Sequence, residues 1–441
     1  MAEEIKSFIP EGFNPETCSL EELKSMIEQM HDKEDFYESK QLGEKLFLNS
    51  MYGAVSSKYF IGFNLEVSKS ITLQGQDLNH FSENCVNRYF NGIFQNDTEL
   101  HKKLGISTED AKKVVINKGS ISGVHFYSEE EKKKSGMEHL EGDFSTCVAG
   151  DTDSIYVEFG RFVRQLNIPD EKQTEFVVNL WNYGCGPYME KCYDAYAKYY
   201  QCKENLEVLE LEKVCRTTIL YAKKHYAMEE VWEEPGVYLP DMTNIIYKGL
   251  EVIQGSTPPY ARKCQKEMIE FVLRNYMHSD EKPEFTDLVS MLKKFRKEME
   301  AQPVDEIAKS MNISDYDKFI LEDKGRIVIA VNGQTGKQMT VPIHVRASAY
   351  HNYLLYKNKQ YLSKYQIIRS KDKVKMYYTK TNKDNIDIFA YIPGSYPYEF
   401  APAIDYDLQF EKTILEPLNR LIEILGYQRM TSSLAYTEEL F

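Results

Sequence analysis

The spacing of apolar residues predicts a helical N-terminal region. Leu20 and Ile27 belong to a series of apolar residues at helical spacing, and Ser19 followed by Glu22 is a capping-box sequence. A helix is therefore expected to begin near residue 19. A second helical pattern covers residues 35–52, so this region forms either an antiparallel pair of helices or one long broken helix.

The pattern changes twice before the middle of the chain. Residues 63–98 are typical of a strand-like entry followed by a helix, whose apolar stripe includes Phe81, Val86 and Phe90. Residues 99–145 are polar and highly charged, as in the segment SEEEKKKSG, which predicts an insertion on the surface. This insertion is either a plain surface loop or a docking element for another polypeptide.

The middle of the chain combines strand and helix patterns. In CVAGDTDSIYVEF, residues 147–159, β-branched and aromatic residues flank a short polar turn, which predicts a strand–turn–strand unit. A helical pattern follows over residues 169–200, and the segments LEVLELEKV and TTILYAKKHYAMEEVW are typical of further strands. The mixture predicts an α+β fold.

The last third of the chain predicts a separate, mainly helical unit. The sequence Ser256-Thr257-Pro258 interrupts the pattern, and residues 260–300 are strongly helical and charged. The segment LQFEKTILEPLNRLIEILG, near the C-terminus, is typical of an amphipathic helix.

Composition narrows the class of protein. The 441 residues, 42% of them hydrophobic, can form two or three globular units. No apolar run is long enough to span a bilayer, and the acidic start MAEEIKSF is unlike a signal peptide, so we expect no membrane association. None of the eight cysteines forms a CxxC pair, which fits a reducing cytoplasm.

One stretch reverses the overall charge of −14. Residues 357–383 contain nine basic side chains and one acidic side chain, with tyrosines among and beside them, and Lys357, Lys359 and Lys364 begin the series. Cations beside aromatic rings suit a nucleic-acid backbone with its sugars and bases. An ordinary solvated, lysine-rich surface is the alternative.

Asp151 and Asp153 are the first candidates for chemistry. Two magnesium ions about 4 Å apart can organise phosphoryl transfer, and such hard cations need closely spaced carboxylates. Asp, Thr and Ser are also common turn and capping residues, so the string DTDS alone does not separate a metal site from an ordinary turn.

Two companion segments favour the chemical interpretation. In QLGEKLFLNSMYG, helical spacing places Lys45, Asn49 and Tyr52 on one side of a helix, where a lysine and an amide suit triphosphate oxygens. In LELEKVCRTTILYAKKHY, Lys223 and Lys224 end a strand beside Tyr226.

Together these segments resemble three motifs of the family B DNA polymerases. The family's motif B has the pattern K-x-x-x-N-S-x-Y-G, motif C reads D-T-D-S, and the primer-gripping motif reads K-K-R-Y. This chain has them in the same order, as Lys45 to Gly53, Asp151 to Ser154, and Lys223 to Tyr226 with histidine in place of arginine. SLEELKSMIEQM, KGLEVIQGSTP, PIHVRASAYHNYLL and EKTILEPLNRL resemble further segments of the T-even phage branch.

The resemblance implies a partial right-hand polymerase fold. It implies the C-terminal part of the fingers over residues 1–56, an antiparallel-sheet palm over 57–248 with the insertion near 99–145, and a mainly helical thumb over 249–432. Residues 433–441 resemble a sliding-clamp peptide, with a frayed terminus as the alternative.

The resemblance also implies a role for each motif residue. Asp153 is expected to bind both magnesium ions directly and Asp151 to help place the second ion, with Glu212 as a weaker acidic candidate. Lys45 and Asn49 are expected to hold the incoming deoxynucleoside triphosphate, and Tyr52 and Gly53 the nascent base pair. The primer-gripping residues Lys223, Lys224 and Tyr226 are expected to contact primer–template DNA. On charge alone, and not from a family motif, Lys357, Lys359 and Lys364 of the basic stretch are further candidates for DNA binding.

The family's motif A, D-x-x-S-L-Y-P, is absent from these 441 residues. The similar string GSYPYEF, at residues 394–400, follows motif C and so stands in the wrong order. We therefore expect the second subunit of a split phage polymerase, acting in the cytoplasm of an infected bacterium and inactive without a partner. The partner is expected to supply the exonuclease, motif A and the first fingers helix.

Two rival functions remain at this point. A non-catalytic DNA-binding or processivity subunit retains the polymerase shape as a scaffold, although such a subunit has no physical reason to retain Asp151, Asp153, Lys45, Asn49 and Lys224 together. A metal-dependent phosphodiesterase uses the same carboxylates but leaves the motif B helix unexplained.

Overall fold

A computed structural model describes residues 17–114, 146–151, 154–234, 236–278, 281–323, 326–380 and 386–433. The chain divides into two compact units. The first unit contains the described residues up to Glu83 and also Ser154. The second unit contains the described residues of Asn84–Asp151 and those from Ile155 onward.

The first unit is built on two helices. Helix α1 spans Leu20–Val55 without a break, and α2 spans Leu65–Arg88 and continues into the second unit. The predicted capping box is present, since the Ser19 hydroxyl accepts from the Glu22 N–H at 3.3 Å and the Glu22 carboxylate accepts from the Ser19 N–H at 2.8 Å. The strand-like entry predicted near residue 63 is wrong, because residues 63 and 64 form no strand and α2 begins at Leu65.

Helix α1 has no buried residue. Even large apolar side chains are exposed on it, with Leu20 and Phe47 about two-thirds accessible to solvent. Hydroxyl contacts tie its C-terminal end to α2: Tyr52 Oη lies 2.9 Å from Thr72 Oγ1, and Ser56 Oγ lies 2.6 Å from Ser68 Oγ. Helical propensity and capping therefore carry more of the stability of α1 than apolar burial does.

The second unit opens with helical turns that continue from α2. A π-helical turn over Tyr89–Ile93 and a 3-10 turn over Phe94–Asn96 lead into α3, Thr98–Leu104, and α4, Thr108–Lys113. Leu100, His101 and Ala111 of these short helices are buried. The first part of the predicted surface insertion is thus packed into the fold, while residues 115–145 lie outside the described part of the chain.

A two-stranded sheet and three helices follow. Strands β1, Cys147–Asp151, and β2, Ser154–Val157, pair with each other and confirm the two predicted strands. Helices α5, Gly160–Gln165, and α6, Asp170–Leu180, precede a π-helical turn over Trp181–Cys185 and helix α7, Gly186–Tyr199.

The central antiparallel sheet consists of β3, β4, β5 and β6. Their bounds are Lys213–Ala222, His225–Glu233, Val237–Tyr238 and Asn244–Lys248. Strand β4 pairs with the other three, and Ala222 pairs with His225 at the closed end of the β3–β4 hairpin. The segment LEVLEL precedes β3 without joining it as a strand.

The core beneath this sheet continues into the predicted thumb. A 3-10 turn over Glu251–Ile253 leads to α8, Pro259–His278, and α9, Phe285–Met299. Ile219 and Ala227 of the sheet share a buried cluster with Met268 and Leu292 of these helices. The predicted boundary at residues 248 and 249 is therefore not a break in packing.

The predicted thumb contains more sheet than its helical pattern indicated. Strand β10, Lys373–Tyr378, pairs with β7, Lys309–Asn312, and β11, Ile388–Tyr391, and β8, Ile320–Asp323, pairs with β9, Arg326–Ile329. The accompanying helices are α10, Val304–Ile307; α11, Tyr316–Phe319; α12, Ile343–Lys357; and a 3-10 turn over Lys359–Tyr361.

The predicted C-terminal amphipathic helix is confirmed in three segments. Helix α13, Tyr406–Phe410, a π-helical turn over Glu411–Leu415, and α14, Glu416–Ile424, place Phe410, Ile414 and Leu421 in the cluster shared with α8. Residues 434–441, which include most of the predicted clamp peptide, lie outside the described residues.

A buried asparagine on α12 satisfies an irregular segment of the backbone. The Asn352 amide donates to the carbonyl oxygen of Ile368 at 2.9 Å and accepts from its N–H at 2.8 Å. Because Ile368 is fully buried, these two groups have no access to water once the asparagine is lost.

Replacement of Asn352 by alanine is expected to reduce the free energy of unfolding by about 3 kcal/mol, since two buried backbone groups lose their partners. Urea unfolding measures the loss, with the exposed Lys357→Ala on the same helix as the control. Equal stability of the two variants would contradict this role.

No helix within the described residues is both long enough and apolar enough to cross a membrane.

Candidate functional site

The β1–β2 pair, here called the aspartate hairpin, is anchored at its base by α2. Asn87 Oδ1 accepts hydrogen bonds from the backbone N–H groups of Thr146 and Cys147 at 2.6 and 3.3 Å. Asp151 is the last residue of β1, so this anchor fixes the strand that ends at the carboxylate. Thr152 and Asp153 lie outside the described residues.

The β3–β4 pair, here called the lysine hairpin, turns tightly at Lys223 and Lys224. Lys224 adopts a left-handed conformation with φ of +63°, which is uncommon for a residue with a side chain. The His225 Nδ1–H donates to the carbonyl oxygen of Lys223 at 2.9 Å and so closes the turn.

The tips of the two hairpins meet. Lys224 Nζ lies 3.3 Å from Asp151 Oδ1. The Tyr156 hydroxyl, on β2, donates to the Tyr226 hydroxyl at 3.0 Å, and the two rings meet edge to face with centroids 5.7 Å apart. Segments at least 70 positions apart in the chain thus bring one aspartate, one lysine and two tyrosines together.

The ion pair between Lys224 and Asp151 orients these groups more than it stabilises the fold. The lysine side chain is 55% exposed and the aspartate side chain 21% exposed. Exposed pairs contribute roughly 0–1 kcal/mol, because water screens both charges. Lys224 is therefore held near the carboxylate yet can exchange this contact for a phosphate oxygen at little cost.

Glu212 is not brought to this cluster. It immediately precedes β3, and the next residue, Lys213, pairs with Glu233 at the open end of the lysine hairpin. A strand of this length separates the two ends by about 30 Å. This placement does not support a role for Glu212 as a ligand beside Asp151.

The motif B residues lie together on α1, in the other compact unit. Because α1 is continuous, Lys45, Asn49 and Tyr52 share one side of it, and all three are exposed. The Tyr52 hydroxyl contacts Thr72, and this hydrogen bond lowers the pKa of Tyr52. Gly53, the next residue, is also exposed.

The basic stretch is divided among different partners. Lys357 Nζ lies 4.1 Å from the centroid of the Tyr353 ring, and Lys359 is exposed in a 3-10 turn. Lys364 forms an ion pair with Glu399, and its hydrogen bond with Glu399 lowers the pKa of that carboxyl to about 2. Lys364 is thus partly neutralised within the chain. Lys383 lies outside the described residues.

Two buried glutamates on β4 were missed in the sequence. Glu229 accepts from the Met242 N–H at 2.8 Å and the Thr217 hydroxyl at 3.2 Å. Glu230, 1% exposed, accepts from Lys213 Nζ at 2.5 Å and Asn244 Nδ2 at 2.6 Å. The available signal was the Glu-Glu pair inside the otherwise apolar strand segment AMEEVW.

Within the described residues, no group of three or more histidine, cysteine, aspartate or glutamate side chains has the arrangement of a metal site. Asp151 is the aspartate of this hairpin that lies within the described residues. Its carboxylate oxygens are ligands of the kind that a hard cation such as magnesium prefers.

Residues 4–169 match the model of the DNA polymerase family B. This part of the chain is therefore similar to the family B DNA polymerases. It is 23% identical over 315 residues to the DNA-directed DNA polymerase of enterobacteria phage T4, covering 69% of this chain and 29% of that protein. It is 23% identical over 269 residues to the DNA-directed DNA polymerase of Escherichia phage RB69, covering 58% of this chain and 24% of that protein.

The match confirms the resemblance inferred from the motifs. The family B region contains both α1, which carries Lys45 to Gly53, and the aspartate hairpin. The lysine hairpin lies beyond the end of that region. The chain spans less than a third of the length of these two phage polymerases.

Proposed function

We propose that this chain forms the C-terminal part of the active site of a family B DNA polymerase and adds deoxynucleotides to a primer 3'-end. The meeting of the aspartate and lysine hairpins carries the proposal, because it joins two of the recognised motifs through the 3.3 Å contact between Lys224 and Asp151. The rival scaffold subunit has no need of this contact.

The proposed cofactor is a pair of magnesium ions. Asp151 and Asp153 supply ligands of the right class, since magnesium prefers carboxylate oxygens. Their number is insufficient by itself, and the described residues contain no group of three or more potential ligands arranged as a metal site. When bound, the two ions activate the attacking 3'-hydroxyl and stabilise the leaving pyrophosphate.

The roles of the chain's own residues follow from their chemistry. Lys224 and Tyr226 orient the primer end, the lysine through its charge and the tyrosine through a ring held by Tyr156. Lys45 and Asn49, on the exposed side of α1, bind triphosphate oxygens by charge and by amide donors. These groups position the reactants, which is the largest protein contribution to phosphoryl transfer.

The proposal includes a partner. None of the 441 residues forms the string D-x-x-S-L-Y-P, so the opposing carboxylate has to come from outside them. We take its source to be a separate polypeptide that also carries the exonuclease and the rest of the fingers.

Primer extension tests the proposal. The chain, a polypeptide from the same genome that contains D-x-x-S-L-Y-P, and a mixture of the two are each incubated with primed template, deoxynucleotides and magnesium. Extension by the mixture alone supports the proposal. Primer hydrolysis instead of extension would favour a phosphodiesterase, and DNA binding that accelerates an intact polymerase without adding activity would favour a processivity subunit.

A further inference from the structure

Gly249 lies against the turn of the lysine hairpin. It directly follows β6, whose last residue, Lys248, pairs with Tyr226 on β4. This register places Gly249 beside the residues that precede Tyr226. Its φ of +65° belongs to the left-handed region, which favours glycine.

A side chain at position 249 has no room. A Cβ atom there would lie 2.2 Å from the carbonyl oxygen of Lys224, and 3.0 Å from Cδ2 of His225. The first distance is far shorter than any van der Waals contact, and the obstructing atom belongs to the backbone. Relief therefore requires the turn or the end of β6 to move.

The turn at Lys223 and Lys224, which would have to move, already has an unfavourable backbone conformation. Lys224 is itself left-handed, with φ of +63°, and a residue with a side chain holds that conformation only where its surroundings impose it. The close approach of Gly249 to the Lys224 carbonyl is one of those surroundings. The same turn places Lys224 Nζ 3.3 Å from Asp151 Oδ1.

We infer that Gly249 is a positioning residue for Lys224: its missing side chain lets β6 support the strained turn that directs the Lys224 ammonium group to Asp151 and to the primer phosphates. The inference rests on the proposed function for its ligand, primer–template DNA. It assigns Gly249 no contact with substrate. The residue acts through the backbone of Lys224.

The matched control is Gly336. Its φ is also +65°, and a Cβ atom there would meet no atom within 4 Å. Gly336→Ala therefore imposes the same backbone strain without a clash, so a difference between Gly249→Ala and Gly336→Ala reports the approach to Lys224.

The test measures the salt dependence of binding to a fluorescein-labelled primer–template by anisotropy. The slope of log Kd against log salt counts phosphate contacts, and loss of one lysine contact reduces it by about 1. We expect this reduction for Lys224→Ala, for Gly249→Ala and for the double variant alike, and no change for Gly336→Ala. If Gly249 only stabilised the fold, Gly249→Ala would lower the melting temperature and the fraction of active protein. The protein that remained folded would keep the wild-type slope of log Kd against log salt.

The outcomes separate the inference from the proposed function. A reduced slope for Lys224→Ala with a wild-type slope for Gly249→Ala overturns the inference alone. A wild-type slope for Lys224→Ala, or no binding of primer–template by the wild-type chain, overturns the proposed role of Lys224 and the inference with it.

A second measurement applies if Gly249→Ala is too unstable for binding studies. Lys224→Gly frees the turn to move, so it is expected to raise the melting temperature of Gly249→Ala by about 2–4 °C more than it raises that of Gly336→Ala. Equal gains in the two backgrounds would show that the clash does not involve Lys224 and would overturn the inference.

Discussion

Replacing Asp153 by asparagine is expected to reduce the rate of primer extension by the complete complex by more than about 100-fold. Even groups that only orient metal ligands contribute about 10–100-fold, and Asp153 is proposed as a direct ligand of both ions. Asparagine has nearly the same shape but no charge, so the loss reports the missing carboxylate. Rapid-quench extension by a single nucleotide measures it.

Two further variants sharpen this result. Asp151→Asn is expected to reduce the rate less than Asp153→Asn, because Asp151 is proposed to help place the second ion and already interacts with Lys224. Asp194→Asn removes an exposed carboxylate on α7 and is expected to leave the rate unchanged. Unimpaired extension by Asp153→Asn would remove the aspartate hairpin from the chemistry.

Replacing Lys213 by methionine is expected to destabilise the central sheet by about 3–5 kcal/mol. The reason lies in its partner, since Glu230 is 1% exposed and accepts from Lys213 Nζ at 2.5 Å. Without Lys213, the buried Glu230 carboxylate has no positive partner, which is costly in a protein interior. The hydrogen bond from Asn244 remains but carries no charge to offset that of Glu230. Urea unfolding followed by tryptophan fluorescence measures the loss, because Trp232 lies on the same sheet.

The effect of Lys213 should persist to alkaline pH. Burial by itself lowers the pKa of Lys213, but the hydrogen bond and the charge of Glu230 raise it above the ordinary value of 10.5. A group whose pKa is raised by folding stabilises the folded state fully below its unfolded pKa and loses that contribution as pH rises through the folded pKa. The difference between wild type and Lys213→Met is therefore expected to be the same at pH 7 and pH 9.

Lys213→Arg is the matched control, because it retains the positive charge beside Glu230. Its stability is expected to fall between those of the wild type and Lys213→Met, since the guanidinium has a different shape. A stability for Lys213→Met equal to that of Lys213→Arg would show that Glu230 does not depend on a positive partner.

Local signals in the sequence predicted the parts of the fold that short-range physics determines. Ser19 and Glu22 form the predicted capping box because both partners lie within one helical turn. The Lys223-Lys224 turn lies between the antiparallel strands β3 and β4, as the pattern of TTILYAKKHYAMEEVW indicated, and β1 and β2 form within CVAGDTDSIYVEF.

Long-range features escaped prediction because no local pattern encodes them. The contact between Lys224 and Asp151 depends on how two hairpins pack, and Gly249 stands near Lys224 only through the pairing of β6 with β4. Glu212 was a candidate beside Asp151, but the extended strand β3 separates it from the lysine turn and carries it to the opposite end of the hairpin. Lys364 was counted among the cations, although Glu399 partly neutralises it.

Two metal ions are proposed to be held jointly by this chain and by a polypeptide that supplies motif A. Manganese serves as the probe, because the free ion is measured directly by electron paramagnetic resonance. The isolated chain, the isolated partner and their mixture are each titrated with primer–template and a deoxynucleotide present. We predict that the mixture binds two ions per complex at concentrations where neither polypeptide alone retains them. Binding of two ions by the isolated chain, together with primer extension at the rate of the mixture, would contradict a metal site shared between two polypeptides.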